Sequence, residues 1–181
     1  MKVSLFAALA LALVAGCGEH LAAPKASDAG SHEAHAELDR MDTRVPVPLL
    51  PMMAEHQKQN MREHLLAVQE IAYAAAHDDF AAIEKSAARI GYSDDMARMC
   101  SHMGMGAPGF TDVALAFHRT ADTIGDAARR KDKSAVLTAL GDTIQRCTGC
   151  HAAFKQRIVD ETEWTRITSS APPSAPAGRG R

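Results

Sequence analysis

The chain has 181 residues, 46% of them hydrophobic and 23% charged, which suits one globular domain with extensions. A net charge of −2 excludes the basic footprint of a nucleic-acid-binding protein, so no nucleic-acid partner is expected. Aromatic residues make up only 4%, and alanine is abundant, which favours small-residue helices over a β-rich fold.

Residues 1–16 read as an export signal: Lys2, an apolar run from Val3 to Val14, then small residues. The run is too short to span a bilayer as a permanent helix. Residues 17–48 are rich in Ala, His and charges without a sustained apolar period, the composition of a flexible linker. His20, His32 and His35 are scattered along it and read as solvated rather than as a metal arm. Helical periodicity begins at Pro51 and opens a folded domain spanning 49–164.

A first helix is predicted from about Pro51 to Ala76, with Met61, His64 or Leu65, Val68 and Ile71 facing inward. Asp78-Asp79 marks a new start, followed by a stripe of Phe80, Ile83, Ala87 and Ile90. Gly91 interrupts it, and Ser93 can cap a continuation through Met103. Residues 104–109, with Pro108, form the clearest loop. A third helix fits Thr111–Arg130, with Val113, Phe117, Ala121, Ile124 and Ala128 inward. After a turn at Lys131-Asp132, a last helix is predicted from Lys133 to Asp160. In it Leu137, Leu140, Ile144, Cys147, His151, Phe154 and Ile158 step as a bundle seam. Residues 165–181 hold too little apolar content to fold, and a disordered tail is expected.

The chemistry concentrates in Cys147-Thr148-Gly149-Cys150-His151, a C-x-x-C-H pattern. Two thiols at i and i+3 can bond the two vinyl groups on one porphyrin edge, and the following His can ligate the iron. On a helix, Cys147, Cys150 and His151 project from one face. A thioredoxin-like redox pair would want a βαβ context, and a zinc site would want a second ligand pair; neither is visible. The expected cofactor is therefore one covalent haem c, held by Cys147 and Cys150 with His151 as axial ligand. Of the other cysteines, Cys100 is left over and Cys17 closes the signal.

Helices with C-x-x-C-H on the last one resemble the class II c-type cytochromes, the cytochrome c-prime family. An aromatic and a basic residue typically follow the motif there, as Phe154 and Lys155 do here. The stretch Gln57-Lys58-Gln59-Asn60-Met61-Arg62 resembles the family's opening helix, with Gln57 where an Arg is usual. The resemblance covers about Pro51 to Trp164. It implies an all-α, antiparallel four-helix bundle with the haem on the last helix, and His151 as proximal ligand. Low-spin members supply a Met from the first helix as sixth ligand, and Met61 stands at the matching place. High-spin members leave that side of the iron open and bind nitric oxide or carbon monoxide. Members often pair through their first two helices, so a homodimer is left open.

Val14-Ala15-Gly16-Cys17 resembles a bacterial lipobox, which would make Cys17 a lipidated first residue and anchor an exported, periplasmic protein to the membrane. Together these readings describe a one-electron carrier between periplasmic or membrane-bound redox partners, not an enzyme: no Ser-His-Asp or Cys-His-Asn arrangement can be argued. Gas binding is the alternative. A third is copper handling by Met96, Met99, Cys100 and Met103, which fall at i, i+3, i+4 and i+7. Flexible thioethers filling an irregular core explain that row more simply. His64 and His118 are read as hydrogen-bonded or exposed side chains, with His64 a competing iron ligand.

Overall fold

The computed structural model describes residues 28–169; the signal segment, Cys17, His20 and the tail from Ser170 lie outside the described residues. The described residues are mostly helical, and the chain divides into two units, Met1–Asp42 and Thr43–Arg181.

In the first unit, residues read as linker form helix α1 (Asp28–Met41). Alanines and an i,i+3 Glu37–Arg40 ion pair favour the helix locally. Leu38 and Met41 remain exposed, so no apolar face is buried, which explains why no period was legible.

The second unit begins with a strand, β1 (Val45–Leu49), also within the stretch read as linker. Helix α2 (Pro51–Ala76) follows, at the bounds the sequence predicts. Pro51 sits at the helix start, where its missing N–H costs nothing, and holds Leu50 extended. Asp78 and Lys131 both take left-handed backbone, and in each case the next residue caps a helix. The Asp79 carboxylate accepts from Ala82 N at the start of α3 (Phe80–Ala88), and Asp132 accepts from Ala135 N at the start of α6 (Lys133–Ala153). Between them lie α4 (Asp94–Gly104), capped by Ser93 as expected, and α5 (Phe110–Arg129). Gly109 turns the chain into α5 at φ 83, a conformation that favours glycine.

The last helix does not run to Asp160. It ends at Ala153, and Phe154–Ile158 becomes β2, paired in parallel with β1 in the register Val45↔Phe154 to Leu49↔Ile158. Pro46 and Pro48 alternate along β1, so their missing donors fall on one side of a strand that has a single neighbour. A short helix, α7 (Glu161–Ser169), closes the described chain.

Two main apolar clusters result. The first lies among α2, α3, α5 and α6 and includes Ile71, Ile83, Phe117, Ile124, Val136 and Leu140. The second joins β1 to the segments after β2 through Val47, Leu49, Met53, Met103, Phe110 and Trp164. The predicted seam on α6 is only half buried. Leu137 is 50% exposed and Ile144 41%, while Val136, Ala139, Leu140 and Thr143 form the packed face. Small side chains on α5, Ala121 and Ala128 among them, meet that face, so the helix turns its smaller residues inward. Among the described residues no helix is long and apolar enough to cross a membrane.

Candidate functional site

Cys147, Cys150 and His151 lie in the last turns of α6, so the spacing i, i+3, i+4 is realised on a helix. Both thiols are free and half-buried, and Cys147 packs against the first apolar cluster. The His151 imidazole is exposed. Around the motif the backbone is tied down: Phe154 N–H donates to Cys150 O, and Arg44 Nη1 donates to His151 O at 3.3 Å. These two bonds satisfy carbonyls that a helix end leaves orphaned. A side chain added at Gly149 would meet no atom within 4 Å, so the middle of the motif faces open space.

Burial raises the pKa of Cys147, and burial followed by the Cys147 charge raises that of Cys150. A redox-active pair needs the opposite, a thiol lowered toward neutrality by a helix N-terminus or a cation. Here the thiols sit at a helix C-terminus, whose partial negative charge does not favour thiolate. The donor set fits covalent haem: two thiols and an uncommitted imidazole on one helical face. Among the described residues no group of three or more His, Cys, Asp or Glu side chains is placed to hold a metal ion. Haem needs no such cluster, because the porphyrin nitrogens hold most of the iron's coordination sphere and the protein adds axial ligands.

Met61 lies on α2, a helix that contacts α6, and is 39% exposed. It stands at the rim of the inward face, where Ala67 and Ile71 are fully buried, and Leu65 beside it is exposed rather than inward. Gln57, in the position where the resembled family carries Arg, is 8% exposed and accepts from Gln156 Nε2 at 2.6 Å. It therefore joins the start of α2 to β2, just past the motif.

The Met/Cys row on α4 is not brought together. Met96 and Cys100 belong to a small cluster with Ala97 and Leu115, Met103 is buried in the second main cluster, and Met99 is exposed. Burial, then the neighbouring Cys150 charge, pushes the Cys100 thiol up to about 11, so it stays protonated and unreactive. His32 and His35 are exposed on α1.

Sequence reasoning offered His64 as an inward residue of α2 but missed that it meets His118. His64 stacks on Phe117 with ring centroids 4.8 Å apart, and His118 meets His64 edge-on at 5.3 Å. His118 is 2% exposed, and its Nδ1 donates to Ile90 O at 2.8 Å. The available signal was the stripe Gln57, His64, Ala67, Ile71 on α2, which places His64 on the buried face. No family model, curated protein or solved structure matches this chain.

Proposed function

We propose that this chain is an exported class II c-type cytochrome that carries single electrons between redox partners, with α2, α3, α5 and α6 as its four-helix bundle. The observation that carries the reading is the placement of Cys147, Cys150 and His151 on one face of the last long helix, with both thiols free and protonated beside an apolar cluster. Cys147 and Cys150 would hold the haem by thioether bonds, His151 would be the proximal ligand, and Met61 the sixth. When bound, the haem supplies a one-electron couple, and a Met ligand sets a higher potential than a second His would. The chain's own contribution is to fix those donors. Arg44 and the β1–β2 pairing anchor the backbone of the motif, and the α2–α6 contact sets Met61 on the helix beside it. Lipidation of Cys17 would keep the carrier near membrane-bound partners.

The test is production with an export-side haem-maturation system. Wild-type protein should stain for haem on a denaturing gel, and Cys147→Ser or Cys150→Ser should impair that retention. A matured wild-type chain without covalent haem would sink the reading. Met61→Leu keeps the side-chain volume and removes the sulfur, so it should convert a low-spin spectrum to a five-coordinate, high-spin one that binds carbon monoxide. A wild-type spectrum that is already five-coordinate points instead to gas binding.

A further inference from the structure

Strands β1 and β2 form a two-stranded sheet, so each has one edge with no strand beside it. The two edges are not alike. Pro46 and Pro48 leave the outer edge of β1 without donors. Pro48 is also fully buried against Gly106, where an added Cβ would collide with its ring. On β2 the Val159 N–H donates to Leu49 O, so by alternation Arg157 and Lys155 turn their backbone groups toward β1 as well. The N–H and C=O groups of Gln156 and Ile158 therefore turn outward. Among the described residues no hydrogen bond reaches them. Gln156, Arg157 and Ile158 are exposed, so this edge is open to solvent.

Charge says what fits it. From Thr143 to Val159 the chain carries Arg146, Lys155 and Arg157 and no acidic residue, although its net charge is −2. The Gln156 side chain reaches α2 through Gln57, so Lys155 and Arg157 stand on the opposite face of the strand. Arg157 and Arg166 share the carboxylate of Glu163, which leaves that end basic. Two β2 edges side by side would oppose like charges, which disfavours a second copy of this chain. A lipid surface could answer the charge but has no backbone groups to pair with the edge. We propose that β2 is the docking edge for an extended, acidic segment of a partner protein, which adds as a third strand. The segment bonds the outward backbone groups of Gln156 and Ile158, and its carboxylates stand beside Lys155 and Arg157. This surface does not rest on the haem reading.

The experiment titrates the isotope-labelled full chain with the peptide acetyl-Glu-Val-Glu-Val-Glu-amide, followed by nuclear magnetic resonance and amide exchange. The amides of Gln156 and Ile158 should become protected while those of α3 keep their rates. The lysine counterpart, acetyl-Lys-Val-Lys-Val-Lys-amide, should not bind. Lys155→Glu and Arg157→Glu should each weaken binding by about fivefold, the scale of one cross-strand charge pair. Ile158→Pro removes an outward donor, as Pro46 and Pro48 do on β1, and should abolish binding. Should that variant fail to fold, peptides decide on the wild-type chain. N-methyl groups on the peptide's valines or on its glutamates block opposite edges, so one methylated form should lose binding and the other keep it. Equal binding of both means charge attraction alone and overturns the proposal. Equal binding of the lysine peptide also overturns it. So does protection of the same amides by self-association, or by phosphatidylglycerol vesicles more strongly than by the peptide.

Discussion

The apolar cluster among α2, α3, α5 and α6 is walled almost entirely by helices, and the α2–α3 and α5–α6 connections are short turns capped by Asp79 and Asp132. The cluster around Trp164 is built differently. It takes Val47 and Leu49 from one end of the unit, Val159 and Trp164 from the other, and Met103 and Phe110 from the middle. The first region can assemble from local order, since its helices start at local signals such as Pro51, Asp79 and Asp132 and each carries its own apolar face. The second exists only when distant segments have met, so its stability depends on closure entropy already having been offset elsewhere. One region organises the fold, and the other fastens its ends.

The largest expected effect is at the fastening. Trp164→Ala should cost about 3–5 kcal/mol, the range for removing a buried Trp side chain. Hydrogen exchange should rise first in α7 and β2 while α5 stays protected. Uniform acceleration throughout would instead mean that the two clusters unfold as one. In the first cluster, Ile124→Ala should cost about 2–5 kcal/mol, read as a shift in the denaturation midpoint without loss of protection confined to one end. If the Ile124 variant loosens only α7, the distinction between the regions fails.

A smaller effect concerns acid. The folded pKa of His64 lies at about 4, below its ordinary 6.5, so the unfolded chain takes up this proton first as pH falls. The stabilisation is complete above pH 6.5 and is lost progressively toward 4; His118, also lowered, acts in the same direction. Denaturation of the protein across that window should show a declining midpoint, and His64→Gln should flatten the decline. Smallest of all is a cap: Ser93→Ala removes the acceptor for Met96 N and should cost about 1 kcal/mol, measured by thermal melting.

The same contrast explains how much could be read in advance. Pro51, Ser93, Asp79 and Asp132 act within a turn of their own positions, so the starts of four helices were legible from neighbours alone. C-x-x-C-H was legible for the same reason, its chemistry depending on spacing along one helix. The end of α6 was not. Phe154 and Ile158 continue the heptad pattern, and only pairing with β1 makes them a strand. Val45-Pro46-Val47-Pro48-Leu49 carries two prolines and reads as a linker until its partner is known. His64 and His118 lie on separate helices, and nothing in their spacing announces that they meet.

The parallel pairing of β1 with β2 also has a consequence in time. It fixes segments as far apart as Arg44 and His151, 107 residues distant, and contacts of that span are the slow ones to form. A chain emerging from its N-terminus can pack α2, α3 and α5 before α6 arrives, and β2 follows directly on the motif. Cys147 and Cys150 are therefore among the last residues to become constrained, which leaves an interval in which their thiols stay open to reaction. Gln156→Pro removes a strand donor and both hydrogen bonds to α2, and should lengthen that interval. In pulsed refolding of haem-free protein, its motif thiols should remain open to alkylation after those of wild type have closed.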